Sequence, residues 1–418
     1  MQSNTILLQN LIDRPFYTQR LFDYLNKPAI KIVTGMRRSG KSSIVQLVIK
    51  RLIDTGVPQQ NIIYINKEFV DFTDIRDFKD LHSYVQKKLQ SSKNNKPKFL
   101  FIDEVQQIDQ WQRAIVDIFA KQSADIVLSG SNSVLLGGKL ATLLSGRYVT
   151  IQVFPLSFKE FFEFNKQLNP NLPELGDLEK LFMLYLKYGG LPAIPAVINN
   201  PKFIIDYQQN VLDTIVYKDV LQYYQIKNVQ VFNQVLAFLL DSIASPVSGR
   251  SIANYLKSQN IQVSVETVLN YIKYLETAYA ISTVKRYDLV GKKYLNVYQK
   301  IYATDLGLRN ALVGYKESDI NKFLENIVYF ELLRRGYEVS IGKINGSEVD
   351  FVAKKRGKKH YFQVTYLLAS KETEEREFGN LLKIHDNYPK TVLSMDKFYA
   401  QDYQGIERKN IIEFLMEG

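Results

Sequence analysis

The sequence predicts an α/β chain built on a parallel sheet, and two stretches predict it. The first is Ala29–Ser43, AIKIVTGMRRSGKSS, a β-branched run that turns on Gly35 and reaches Gly40-Lys41-Ser42. The second is Lys98–Glu104, KFLFIDE, in which an apolar run ends in two acids. A strand that is apolar on both faces belongs in a parallel sheet covered by helices.

The first stretch spells G-x-x-x-x-G-K-S in a strand–turn–helix setting, the P-loop pattern. Gly35 and Gly40 allow the tight turn that brings backbone N–H groups against phosphate oxygens, and Arg38, Ser39 and Ser43 complete the loop. The helix opening at Lys41 directs its positive end at the same anion. Lys41 reaches the β- and γ-phosphates, and the Ser42 hydroxyl ligates Mg²⁺. ATP with Mg²⁺ is therefore the expected cofactor. In the second stretch, the Walker B pattern, Asp103 stands where a strand end carries a carboxylate toward the metal. Glu104 is placed to deprotonate the attacking water.

Elements follow in order. Residues 1–28 read as a helical lead-in with Tyr17, Leu21, Tyr24 and Leu25 at helical spacing. Ser43–Leu52 continues the P-loop helix, Asn61–Ile65 is a strand, and Leu81–Leu89 a helix. Ala124–Ser129 is a further strand, leading to Gly130-Ser131-Asn132-Ser133. A polar residue there can sense the γ-phosphate; Asn132 is the first choice and Ser131 the second. Leu140–Arg147 ends in an arginine before the strand Tyr148–Val153. Arg147 reads either as a finger on the γ-phosphate, in cis or from a second copy, or as a structural ion pair.

The set GMRRSGKSS, FLFIDEVQ, SGSNS, SGR, VFPLSFKEFF and YGGLP resembles a prokaryotic family of AAA-type ATPases that joins a P-loop domain to a C-terminal region of unassigned function. The resemblance extends over essentially the whole chain. It implies ATP binding and hydrolysis and supplies no physiological substrate.

The expected divisions are a P-loop NTPase core over residues 1–165, a helical lid over 166–229, a winged-helix domain over 230–312 and an α/β domain over 318–418. In the third, Ser248–Lys257, with Ser251 as cap, and Ser264–Thr277, capped by Ser264, form a helix–turn–helix. A hairpin, Ala280–Tyr287 and Tyr294–Ala303, follows, and Lys285, Arg286, Lys292, Lys293 and Lys300 make it basic. Such a wing suits a phosphate backbone or protein packing. The last region resembles the restriction-nuclease-like PD-(D/E)-x-K fold. Glu325 and Asp350 match the first two positions of that site. Gln363 and Thr365 replace the second acid and the lysine, so the resemblance implies a vestigial nuclease site, used for binding or assembly. The tail beyond reads as charged and helix-prone.

The net charge of +11 points to a polyanionic partner such as duplex DNA, or to a basic background. Zero cysteines exclude disulfides and thiolate metal sites and fit a cytoplasmic location. His82, His360 and His385 are too scattered for a zinc site. No apolar run has the length of about 18 residues that spans a bilayer, so no membrane partner is expected. The leading function is an ATPase whose nucleotide state controls a DNA- or protein-facing module. A non-catalytic nucleotide switch and an ATP-coupled nuclease are the alternatives.

Overall fold

The computed structural model describes residues 11–92, 94–133, 146–171, 176–368, 370–397 and 402–417. The start of the lead-in and most of Leu140–Arg147 lie outside these residues. The chain divides into two compact units, Met1–Val153 and Phe154–Gly418.

The first unit holds α1 (Pro15–Tyr24), β1 (Ile30–Thr34), α2 (Lys41–Asp54), β2 (Ile62–Asn66), α3 (Phe78–Ser91), β3 (Phe99–Asp103), α4 (Trp111–Ala120), β4 (Asp125–Gly130) and β5 (Tyr148–Gln152). All five strands are parallel, in the order β2-β3-β4-β1-β5. The two-residue side-chain period sorts the strands into two cores. Ile30, Ile32, Leu100 and Ile102 pack with Leu81, Val85, Trp111 and Ile115 of α3 and α4. Val33, Phe99 and Phe101 pack with Tyr17, Leu21, Ile44 and Val48 of α1 and α2. Every residue of β1, β2 and β3 is buried, as the apolar runs predict. Lys31, fully buried in β1, is paired with Asp125 and donates to Lys27 O (3.0 Å). Helix α4 was not expected. Its N-cap, Gln110, sits at φ 49° with no side-chain cap, so the sequence carries no start signal there.

The second unit begins earlier than the expected boundary at 165. Phe154 packs edge-on against Phe330, and α5 (Phe158–Leu168) sets Phe158 against Phe182 of α6 (Leu178–Tyr188). Next come α7 (Pro201–Thr214), a π-helical turn Ile215–Leu221, α8 (Val229–Asp241), β6 (Pro246–Val247), α9 (Gly249–Ser258), α10 (Val265–Thr277), β7 (Ile281–Asp288) and β8 (Lys293–Ala303). The cap of α9 is Ser248, in a reciprocal pair with Ser251, one turn before the expected position. Ser264 caps α10 through Thr267 N, as expected.

After α11 (Leu306–Val313) and α12 (Ile320–Arg334), strands β9 (Glu338–Ile344), β10 (Ser347–Lys355) and β11 (Lys358–Val364) form a meander. The tail is not simply helical. It carries α13 (Lys371–Leu382), β12 (Lys390–Ser394), β13 (Asp402–Tyr403), β14 (Ile406–Asn410) and α14 (Ile411–Met416). The basic hairpin is not a separate wing either. Strand β7 pairs in parallel with β9 through Arg286, Tyr287 and Asp288, giving one nine-stranded sheet, β13-β14-β12-β11-β10-β9-β7-β8-β6. Helix α12 is buried over Phe323–Leu332, so it reads as a core helix rather than an amphipathic one.

Candidate functional site

The P-loop leaves β1 at Thr34 and enters α2 at Lys41. Gly35 adopts φ +143°, and a Cβ there would lie 2.1 Å from Val153 O, so only glycine fits. Arg38 and Gly40 also take positive φ, 63° and 94°, which folds the loop into a nest of N–H groups. The Lys41 ammonium donates to Gly35 O and Met36 O, both at 3.0 Å, and is thus folded across its own loop. Ser39 Oγ is buried with no hydrogen-bond partner. Arg14, at the head of α1, donates to Ser39 O at 2.8 Å and braces the loop from behind. That arginine belongs to no sequence motif.

The acids stand at the C-terminal end of β3, beside the loop. Asp103 is 1% exposed and accepts hydrogen bonds from Ser129 and Ser42. Burial pushes its carboxyl above the usual carboxylate range, against the pull of those two hydroxyls. Glu104 holds a left-handed backbone conformation (φ 54°, ψ 47°), which costs a non-glycine residue about 1 kcal/mol or more. Its Oε2 accepts from Gln106 Nε2 (2.5 Å) and Ser131 Oγ (3.1 Å). Of the two expected sensors, Ser131 is the one bonded to Glu104, while Asn132 is buried next to it in sequence. Ser129 and Gln106 escaped the sequence reading because neither type marks a motif.

Ser42 and Asp103 form a hydroxyl–carboxylate pair of hard oxygens at the loop, a donor set that fits Mg²⁺. Among the described residues, no group of three or more His, Cys, Asp or Glu could hold a metal by itself. The pair therefore suits a cation whose remaining ligands are phosphate and water.

Arg147 lies elsewhere. It is exposed, and its carbonyl accepts from Ile30 N (3.0 Å) at the first residue of β1. With Lys27, Lys98 and Asp125 it lines a cavity of about 660 Å³ at the N-terminal edge of the sheet, the edge opposite the P-loop. The fold does not bring it to the phosphate site of its own chain.

In the second unit, Lys285, Lys292 and Lys293 are exposed. Arg286 is partly buried, with Nη2 3.6 Å from Glu348 Oε2. Lys300 is 3% exposed and contributes nothing to the surface charge expected of it.

Glu325, Asp350, Gln363 and Thr365 do come together, lining one cavity of about 320 Å³ with Glu348 and Glu377. Gln363 Nε2 donates to Glu377 Oε2 (2.8 Å), and Val364 N to Asp350 Oδ2 (2.9 Å). A lysine is present after all, but from β8. Lys300 Nζ is 2.8 Å from Glu325 Oε1, 2.6 Å from Glu348 Oε1 and 3.7 Å from Asp350 Oδ1. Burial alone would push Lys300 down, yet the three carboxylates outweigh it and push it up. Asp350 holds its proton well above the carboxylate range, because burial and Glu325 together outweigh Lys300. Burial raises Glu325 too, opposed by Lys300 and Tyr302.

The YGGLP stretch also finds its role here. Gly190 N donates to Asp305 Oδ2 (2.8 Å), and a Cβ at Gly189 would lie 2.3 Å from Asp305 Oδ1. Asp305 caps α11, and burial raises its carboxyl to about 6. The motif is thus a backbone latch within the second unit.

An AAA-domain family matches residues 27–162, and a domain of unknown function (DUF8612) matches residues 179–319. An uncharacterized protein of Haemophilus influenzae is 36% identical over 97% of this chain and 99% of its own length. One of Methanocaldococcus jannaschii is 31% identical over 85% of this chain and 79% of its own. Among solved structures, the Walker-type ATPase of Pyrococcus abyssi aligns over 72% of this chain and 95% of that one, with a TM-score of 0.49 and 17% identity. By identity over nearly its whole length, the chain belongs to the same family as the Haemophilus influenzae protein, and its first unit has the P-loop fold of the AAA domain that matches residues 27–162.

Proposed function

We propose that the protein binds and hydrolyses ATP with Mg²⁺ and couples that cycle to DNA held by its second unit. The observation that carries the reading is the buried set at the strand ends: Asp103 bonded to Ser42, and Glu104 bonded to Ser131. Lys41 leaves the carbonyls of Gly35 and Met36 for the β- and γ-phosphate oxygens, and the loop N–H groups hold the rest of the chain of phosphates. Ser42 and Asp103 would hold Mg²⁺, which would supply charge neutralisation at the transferring group. Glu104 takes the proton of the attacking water, with Ser131 and Asn132 placed to report the γ-phosphate. Arg147 can act on a nucleotide only in trans, from a second copy, since it sits at the far edge of its own sheet.

For the second unit we read Val229–Ala303 as a winged helix whose hairpin is fused to a nuclease-like sheet. Exposed Lys285, Lys292 and Lys293 supply the phosphate contacts, with Arg286 held partly back by Glu348. Gln363 and Thr365, and a lysine already bound to three carboxylates, support a binding role over cleavage. The absence of cysteine suits the cytoplasm, and among the described residues no helix is long and apolar enough to cross a membrane.

A nucleotide switch with slow turnover is the second reading. It is favoured by Glu104, whose Oε2 is held by two hydrogen bonds instead of being open to water. Steady-state ATP turnover with and without duplex DNA separates the two. Stimulation by DNA is expected, and Lys292→Gln with Lys293→Gln should raise the DNA concentration needed several-fold and flatten its salt dependence. Turnover indifferent to DNA would leave the switch, acting on a protein partner, as the better account.

A further inference from the structure

Residues outside the sites above form a mixed basic and aromatic surface on the nine-stranded sheet. Tyr287 and Tyr294 face each other across β7 and β8, with ring centroids 5.2 Å apart and an interplanar angle of 64°. Lys354 of β10 sets its ammonium 4.1 Å from the Tyr287 ring and 5.7 Å from the Tyr294 ring. Lys359 of β11 lies 5.8 Å from Tyr287 and 5.7 Å from Tyr388. Among the described residues, neither lysine makes a salt bridge with a carboxylate. Glu338 stands opposite Lys354 in the β9–β10 register without closing a salt bridge on it, while Asp288 accepts from Val290 N and Gly291 N, and Asp386 from Tyr361 Oη. Tyr294 is 52% exposed and leaves one ring face open to solvent beside these cations.

Cations held on ring faces, outside any salt bridge among the described residues, keep charge for an anion. An exposed ring at the centre of such a patch offers a stacking face. Together they are the two components that track a nucleic-acid backbone and stack its unpaired bases. A duplex hides those faces, so this surface discriminates in favour of single strands. We infer that the face carrying Tyr294, Lys354, Lys359 and Tyr388, laid over the buried Tyr287 ring, binds single-stranded nucleic acid, with a base stacked on Tyr294 and phosphates on Lys354 and Lys359. The inference rests on the DNA-coupled reading above and names the strand state and the surface.

The test uses the full chain and fluorescence anisotropy, with a labelled oligothymidylate and a blunt duplex as the two probes. Tyr294→Ala should weaken oligothymidylate binding roughly tenfold and leave duplex binding unchanged, while Tyr294→Phe keeps wild-type affinity. Lys354→Gln with Lys359→Gln should lower the salt slope for the single strand by about 1.4. Unchanged oligothymidylate affinity in Tyr294→Ala, or a wild-type preference for duplex, overturns the inference. If those results come with DNA-stimulated hydrolysis, the coupled ATPase stands without this surface. If the wild-type chain binds neither probe, the DNA arm of the proposed function falls as well.

Discussion

Lys41→Ala is expected to weaken ATP binding on the order of 100-fold and to bring turnover to background. The side chain is 5% exposed and already sits over Gly35 O and Met36 O. Its ammonium therefore meets the phosphates in a site largely cleared of water, where a single charge is worth far more than at the surface. The loop itself should survive the change. Its shape is set by Gly35 and Gly40 and by Arg14 on Ser39 O, none of which the substitution touches. Calorimetric titration with MgATP, beside a thermal melt of the same sample, checks both halves. ATP affinity equal to wild type would remove the P-loop from the account.

Lys300→Met is expected to destabilise the second unit by roughly 3–5 kcal/mol at neutral pH, because it strips the ammonium from two buried carboxyls, Glu325 and Asp350, and from the partly exposed Glu348. The pH dependence has a definite sign. Lys300 is raised in the fold, so its contribution is present below its ordinary range near 10.5 and is lost as pH rises through the higher folded value. Asp350 and Glu325 are raised as well, so the folded state holds their protons more firmly than the unfolded chain does. Without Lys300 both rise further. The variant's deficit should then be largest at neutral to alkaline pH and shrink as pH falls into the acid range and the carboxyls take up protons. Chemical denaturation of both chains across that range measures it. A variant as stable as wild type at neutral pH would show that the carboxyls are neutral there and that Lys300 does not hold the cluster.

Much of the nucleotide site was legible because its chemistry needs fixed residue types at fixed spacing. Gly35, Gly40, Lys41, Ser42, Asp103 and Glu104 are all where strand–turn–helix and strand-end reasoning put them. Partners that act through shape rather than type were not legible. Arg14 and Ser129 reach the site from separate segments, and Gln106, two residues past Glu104, turns back onto it. Arg147 illustrates the same limit from the other side. Its place before a strand suggested a finger, but parallel topology puts every strand start at the edge opposite the phosphates. Lys300 looked like surface charge by its neighbours in sequence, and only the pairing of β7 with β9 turned that hairpin into the wall of a buried cluster. The α10 cap was read correctly because Ser264 bonds locally to Thr267 N. Helix α4 was missed because it begins without a cap.

Glu104 is the group proposed to turn bound ATP into product. Single-turnover hydrolysis of radiolabelled ATP by wild type and Glu104→Gln, at saturating enzyme and Mg²⁺, measures its part in the reaction. Equal ATP affinity and a rate lower by about 100-fold or more are expected in the variant, since the amide cannot accept the water's proton. Equal rates in the two chains would contradict it and leave Glu104 a structural partner of Ser131 and Gln106.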